Sequence, residues 1–275
     1  MQHILIDKFN EQNIEKMSRD FQTNTPFPHI VFDNFLNEES AEKSLSNFNI
    51  NENWINYSFV NNFRKYGLAD KKFMDKNMNE ILDELGSKKI IDIVSKITGI
   101  KNLFLDKTLG GGGLNQVFNG GSLNVHTDFI PHIKEKKWKR VLNLIIYLNH
   151  DWKSTYKGEL EFWDENVKNR VKSISPIFNR CIIFKTDKKS FHGHPEKMNL
   201  PEGVSRKTII IYYLVEEEKE QKIYSTKYVG RPGDTLYTRF MIHLDTFLNK
   251  ILTYSKRYGI LNDKIASKIL SFFKK

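Results

Sequence analysis

The chain has 275 residues, with 43 lysines and arginines against 33 acids and a formal net charge of +10. This length allows one large domain with appendages or two small domains. A single cysteine, Cys181, excludes a disulfide within the chain and predicts a reducing, cytoplasmic location. The sequence predicts a soluble protein, because no apolar run approaches a membrane-spanning length and the first residues lack an apolar signal-peptide core.

The positive charge is concentrated at one end of the chain. From Gln221 to the last residue there are eight lysines, three arginines and three acids, which accounts for +8 of the net +10. A generally basic surface of the kind that binds nucleic acid is therefore a poor description of this protein. The simplest interpretation of the basic tail is a solvated helical face.

Helical patterns dominate the first 100 residues. A short helix is predicted over residues 11–21, and two prolines then predict an extended entry into a strand. Asn37, followed by two glutamates, predicts the start of a second helix. Apolar residues recur at helical spacing over residues 79–97, with a break near Gly86.

After Gly99 the pattern changes to short apolar runs separated by turn residues. Strands are predicted at residues 103–105, 114–118, 123–128, 141–148, 159–163, 174–178, 181–184 and 208–215. Helices followed by short strands predict an α+β protein whose core is a double-stranded β-helix, or jelly roll. The N-terminal helices are expected to pack outside this core, and a C-terminal helical tail to follow it.

These patterns divide the chain into an N-terminal helical entry region (1–100), a jelly-roll core (101–217) and a basic amphipathic helical tail (218–275). The tail carries two apolar stripes at helical spacing, formed by Phe240, Leu244, Phe247, Leu248, Ile251 and Leu252, and by Ile265, Ile269, Leu270 and Phe273. Packing of the stripes on the core is the favoured prediction. A dimer contact and a peripheral membrane contact are the alternatives.

One predicted strand carries a pair of metal-binding side chains. Residues 123–128 alternate as a strand does, so His126 and Asp128 share one face and Thr127 occupies the other. An imidazole and a carboxylate on a rigid strand can bind two adjacent positions of a metal ion. A second imidazole from elsewhere would complete a facial set of two histidines and one carboxylate, which suits non-haem Fe(II).

The second half of the core supplies candidates for that histidine and for an anion-binding residue. His192 and His194 lie two residues apart, and the residues alone do not decide between them. Arg206 opens a strongly apolar strand, where a cation is costly to bury unless it binds an anion. Its guanidinium suits bidentate binding of a carboxylate, and Thr208 on the same face adds a hydroxyl donor.

The core resembles the prolyl 4-hydroxylase-like branch of the Fe(II)/2-oxoglutarate-dependent oxygenases. The resemblance spans residues 113–214, and five phrases occur in the expected order. The phrases are NGGSLNVHTDF at 119–129, LNLIIYLN at 142–149, KGELEFWD at 157–164, PIFNRCIIF at 176–184, and FHGHP at 191–195 continued by RKT at 206–208. The last 55 residues carry no such phrase.

The resemblance implies a role for each matching position. It makes His126, Asp128 and His192 the iron ligands, and Arg206 the partner of the distal carboxylate of 2-oxoglutarate. The residues that it places beside that co-substrate are Thr208, Tyr147, Asn143 and Gln116. Gln116 departs from the pattern, since some relatives have a tyrosine there.

The resemblance also implies a reaction: hydroxylation of an unactivated C–H bond with release of succinate and CO2. The implied cofactors are Fe(II), 2-oxoglutarate and dioxygen, with ascorbate as an additional candidate. A peptidyl proline, another amino acid, or a sugar or lipid intermediate would each fit as substrate. The alternative is a jelly-roll binding module with a vestigial metal site.

Overall fold

The computed structural model describes residues 2–57, 61–222, 224–260 and Ile265. Its α-helices are α1 (Glu11–Thr23), α2 (Glu38–Ser44), α3 (Lys76–Leu85), α4 (Lys88–Thr98) and α5 (Leu236–Arg257). Its strands are β1 (His29–Phe32), β2 (Ile55–Asn56), β3 (Asn62–Leu68), β4 (Phe104–Leu105), β5 (Gly113–Thr127), β6 (Trp138–Tyr147), β7 (Leu160–Trp163), β8 (Arg170–Ile174), β9 (Arg180–Lys185), β10 (His192–His194), β11 (Arg206–Glu216) and β12 (Lys227–Tyr228).

The predicted N-terminal helices are present, and their ends lie within three residues of the predicted ones. Asn10 and Asn37 cap α1 and α2 by accepting backbone N–H groups. The predicted break near Gly86 is confirmed, because α3 ends there and the Ser87 hydroxyl caps α4. Gly99, at φ 73°, terminates α4 in the left-handed conformation that glycine adopts without strain.

The strands form one antiparallel sheet that curls into a jelly roll, which confirms the predicted fold class. The main strand order is β1-β9-β6-β11-β5-β10-β7-β8, and β3 and β12 also pair with β5. One face of the sheet packs against the N-terminal helices in a large apolar core that includes Leu144, Ile211 and Tyr213. The opposite, inner face carries a smaller cluster around Phe162 and Phe184. The division of the chain at residues 100 and 217 stays a prediction.

Three of the predicted strands are assigned differently in the structure. The runs at 114–118 and 123–128 belong to one long strand, β5. The strand predicted at 174–178 is wrong, because β8 ends at Ile174. Pro176 follows, and a proline has no N–H with which to continue a ladder. Strands β2, β3, β8, β10 and β12 were not predicted.

The C-terminal helix α5 attaches to the barrel through a face that the sequence did not predict. Buried Ile242 and Asp245 face the barrel, and the Asn61 side-chain amide donates to the Asp245 carboxylate. The predicted packing of the first stripe is wrong for most of its length. Its exposed members are Phe240 at 62%, Leu244 at 40%, Phe247 at 60% and Ile251 at 47%. Apart from Ile265, the second stripe lies outside the described residues.

No helix in the described part of the chain combines the length and the apolarity that crossing a membrane requires.

Candidate metal centre

Strands β5 and β10 bring His126, Asp128 and His192 together. The two histidines face each other in the register of the antiparallel pair, and Asp128 follows the end of β5. The His126 Nε2 atom lies 3.5 Å from Asp128 Oδ1, and the His192 Nε2 atom lies 3.7 Å from Asp128 Oδ2. Each residue offers one ligand atom, and these atoms all lie within 4.8 Å of one another. All three side chains are buried.

Both imidazoles present the same nitrogen to Asp128. The Nδ1 atom of His126 is 2.8 Å from the Asn124 carbonyl oxygen, and that of His192 is 2.9 Å from the Ser190 carbonyl oxygen. Because a carbonyl can only accept, each Nδ1 must carry the proton, which leaves Nε2 with a lone pair in the neutral ring. Burial and the neighbouring His126 lower the pKa of His192 to about 4, so this ring is neutral near pH 7.

The Asp128 carboxylate is held in its ionised form. Burial alone would raise its pKa, but the charges of His192 and His126 in their protonated forms and the hydrogen bond from Asn143 outweigh burial and lower it. The Asn143 side-chain amide donates to Asp128 Oδ2 at 3.0 Å. Separations of 3.5 and 3.7 Å between the donors leave room for one small divalent ion, whose bonds to nitrogen and oxygen ligands are about 2 Å long. Two neutral imidazoles and one carboxylate fit Fe(II).

The Asn143 contact gives a testable prediction. Asn143→Ala should weaken Fe(II) binding about 10–100-fold, because a partner that orients a metal-binding carboxylate typically contributes that much. Anaerobic Fe(II) titration measures the effect. Asn149→Ala is the matched control, since within the described residues this buried asparagine bonds only to backbone groups of Pro176 and Lys207. It should leave Fe(II) affinity unchanged, and equal losses in both variants would contradict the assignment.

A buried cation lies across the inner face of the barrel from this cluster. Arg206 is 5% exposed, and its Nε atom donates to the Gly158 carbonyl oxygen at 2.8 Å. Its Nη2 atom lies 3.3 Å from the Tyr147 hydroxyl. Within the described residues, Arg206 forms no ion pair with an acid. Thr208 pairs with Tyr147 in the ladder between β11 and β6, so both side chains face the same space as Arg206. We call this space the inner chamber.

The structure separates Gln116 from the inner chamber. On β5, Val117 lies opposite Arg206, whereas Gln116 lies opposite Lys207. Since neighbouring strand residues point to opposite faces, Gln116 faces away from Arg206. Its amide nitrogen donates to the Ser205 hydroxyl at 2.8 Å. The expected contact of Gln116 with a co-substrate is therefore wrong. Asn143, expected beside the same co-substrate, instead bonds to Asp128.

Two residues near the site, Lys65 and Tyr228, were not predicted from the sequence. Lys65 lies opposite Val117 on β3, so its side chain shares a face with Arg206. Burial lowers the pKa of Lys65 to about 8, although the negative charge of Asp128 acts to raise it. The Tyr228 ring lies 5.1 Å from the His126 ring, and its hydroxyl accepts from the Asn62 amide at 2.8 Å. Lys65 and Tyr228 lie on strands without an apolar alternation that could have revealed them.

A second buried arginine lies behind Asp128. Arg140 is 0% exposed, and its guanidinium carbon lies 3.6 Å from the Phe129 ring centre and 4.7 Å from that of Tyr212. Burial raises the pKa of Tyr212, and the nearby Asp128 carboxylate raises it further. A Cβ atom on Gly111 would lie 2.5 Å from the Phe129 ring, so only glycine leaves room for this stack. The stack lies beside Asp128, since Phe129 is the next residue in the chain.

The fold and the site together define a class of protein: a jelly roll with a buried cluster of two histidines and one carboxylate. The family model of the 2OG-Fe(II) oxygenase superfamily matches residues 112–220, which contain the cluster and Arg206. This match assigns the jelly-roll core, residues 112–220, to a superfamily whose members use Fe(II), 2-oxoglutarate and dioxygen. No curated protein matches the chain.

Solved structures share the fold at low sequence identity. A prolyl hydroxylase from Trichoplax adhaerens, in complex with a peptide fragment of the hypoxia inducible factor oxygen degradation domain, is 18% identical with a TM-score of 0.53. The match covers 75% of this chain and 94% of that one. The epimerase SnoN, in complex with Fe3+, alpha ketoglutarate and nogalamycin RO, is 11% identical with a TM-score of 0.50, covering 83% of this chain and 90% of that one.

Proposed function

We propose that this oxygenase hydroxylates a C–H bond of its substrate and releases succinate and CO2. His126, Asp128 and His192 would hold Fe(II), which, when bound with 2-oxoglutarate and dioxygen, supplies the oxidising chemistry. The observation that carries the proposal is the buried cluster with both Nε2 lone pairs directed at one ionised carboxylate. A surface ion pair would need neither burial nor two backbone carbonyls that fix the rings.

The inner chamber supports binding of 2-oxoglutarate. A buried guanidinium requires an anion, and the Tyr147 hydroxyl beside it can donate to the same carboxylate. Burial and the Arg206 charge act on the Tyr147 phenol in opposite directions, and its pKa is raised, so it keeps its proton. The residues would orient the distal carboxylate at Arg206 and the keto-acid end towards the metal cluster. Because β5 pairs with both β10 and β11, the metal cluster and Arg206 are fixed to the same strand.

The rival function is a binding module with a vestigial metal site, and turnover distinguishes the two. Under anaerobic conditions, Fe(II) plus 2-oxoglutarate should produce a visible charge-transfer band with one iron per chain. Admission of dioxygen should then yield succinate, and the product mass from a substrate panel should rise by one oxygen atom. A protein that binds Fe(II) and 2-oxoglutarate but forms no succinate with any substrate would support the rival.

A reducing, cytoplasmic location is part of the proposal. The only cysteine, Cys181, is completely buried in β9, and burial raises the pKa of its thiol. Such a thiol is poorly reactive and suits a protein that does not depend on disulfides.

A further inference from the structure

A polar cleft of about 600 Å³ opens beside the metal cluster. Its floor is formed by Ser122 and Asn124 on β5, one wall by residues 195–197 after β10, and the facing wall by residues 237–241 of α5. A volume of a few hundred Å³ is typical of sites for one small molecule. The cleft therefore suits a compact ligand rather than a long polymer.

The cleft adjoins the residues that would hold iron. Asn124, which lines it, accepts the hydrogen bond that orients His126. Pro195, also in the lining, directly follows the β10 strand that carries His192. Phe63 lines the cleft from β3, and two residues further along the same strand Lys65 faces the inner chamber. A ligand in the cleft would thus lie next to the metal cluster.

The charges that line the cleft favour an anion. Arg231 bridges both acids of the lining, with a 2.6 Å contact to Glu196 and a 3.9 Å contact to Asp234. Lys157 lies 3.7 Å from Glu196. Lys197 is exposed in the lining and makes no ion pair in the part of the chain that the structure describes. The lining therefore holds one more cation than acids, and Lys197 is the cation available to a ligand.

The uncharged lining favours a ligand with hydroxyl groups. Phe63 is 41% exposed and Tyr237 is 73% exposed, so both rings offer apolar contact area. Ser122, Asn124 and Thr238 supply donors and acceptors next to these rings. A ligand that satisfies both features needs an apolar ring face together with several hydroxyls. A pyranose ring has this combination.

We propose that the cleft binds the primary substrate of the enzyme, and that this substrate is a small sugar carrying a carboxylate or a phosphate. Lys197 would contact the anionic group, and Tyr237 would pack against the ring. The inference rests on the proposed function, because a ligand in the cleft is a substrate only if the adjacent metal cluster catalyses a reaction. It also gives α5 a role, since this helix closes one wall of the cleft.

The test is a calorimetric titration of the full chain with three probes that share a pyranose ring: glucuronate, glucose 6-phosphate and glucose. It is performed anaerobically with Fe(II) and 2-oxoglutarate bound. At least one of the two acids should bind ten or more times tighter than glucose. The acid that binds tighter identifies the anionic group as carboxylate or phosphate.

Two variants assign the binding to this cleft. Lys197→Glu should weaken the preferred acid at least tenfold and leave glucose and 2-oxoglutarate binding unchanged. The matched control is Lys89→Glu, an equal change of charge at an exposed position on α4, which should have no effect. Tyr237→Ala should weaken all three sugars alike.

Three outcomes would overturn the inference: equal binding of glucose and both acids, no binding of either acid, or equal effects of the two lysine variants. Tighter binding of an acidic pentapeptide than of both acids would assign the cleft to a peptide and would also overturn it. The charge-transfer band is measured separately. If the band forms while the sugars fail to bind, the sugar proposal fails and the proposed function stands.

Discussion

His192→Ala should abolish stoichiometric Fe(II) binding and the charge-transfer band that Fe(II) and 2-oxoglutarate produce together. The variant removes one of three buried donors, and the remaining His126 and Asp128 cannot form a facial set. The hydrogen bond from His192 Nδ1 to the Ser190 carbonyl shows which nitrogen remains available to the metal. Anaerobic titration with visible absorption measures the loss.

His194→Ala is the matched control for this experiment. His194 is also a buried histidine on β10, but it is not part of the three-residue cluster. Its replacement should therefore preserve Fe(II) binding at one ion per chain. If His194→Ala abolished iron binding while His192→Ala preserved it, the assignment of ligands would be reversed. Circular dichroism of both variants would confirm that each is folded.

Arg206→Ala should weaken 2-oxoglutarate binding far more than Fe(II) binding. Truncation of one partner of a buried, charge-assisted pair costs about 2–5 kcal/mol, which corresponds to about 30-fold to several thousand-fold in the dissociation constant. Arg206→Lys keeps the charge but loses the planar fork, so an intermediate loss is expected. Tyr147→Phe should produce a smaller loss in the same direction, since it removes only the neighbouring hydroxyl.

Arg64→Ala is the control for the arginine variants. Arg64 is an exposed arginine on β3 whose Nη1 atom donates to the Asn119 carbonyl oxygen at 2.8 Å and whose guanidinium lies 5.9 Å from the Phe63 ring centre. Titration of the 2-oxoglutarate affinity at fixed Fe(II) should give the native value for this variant. An unchanged affinity in Arg206→Ala would exclude Arg206 as the residue that binds the distal carboxylate.

The grouping of His126 with Asp128 could be predicted because it depends on a local rule. Alternation along one strand fixes which side chains share a face, whatever the rest of the fold. No local rule of this kind could decide whether His192 or His194 is the second histidine of the metal cluster. The choice depends on the pairing of β10 with β5, which joins residues more than 60 positions apart. Here only the resemblance to a family guided the prediction.

Two residues near the site were missed because their strands lack a local pattern. Arg64 has a φ of 51°, and the register of β3 shifts between Phe63 and Lys65. An irregularity of this kind disrupts the period of two that reveals a strand. Tyr228 belongs to a two-residue strand that exists only through its pairing with β5. Neither Lys65 nor Tyr228 could be placed without the folded sheet.

Prediction of the C-terminal tail from its apolar stripe was limited in a similar way. Its spacing correctly predicts a helix, but not which side of the helix meets the barrel. That rotation is set by Asp245, a polar residue within the helix, through its contact with Asn61. The contact joins residues 184 positions apart. A pattern of apolar residues carries no information about such a contact.

The pairing of β5 has a consequence for how this protein could diversify. One strand pairs with β10, which carries His192, and with β11, which carries Arg206. An insertion within β5 would therefore displace the metal cluster relative to Arg206. The cleft walls at residues 195–197 and 237–241 belong instead to a connecting segment and to the C-terminal helix. Mutation can reshape these walls while the spacing between the metal cluster and Arg206 is preserved, so relatives that act on different substrates should differ most in their connecting segments and tails.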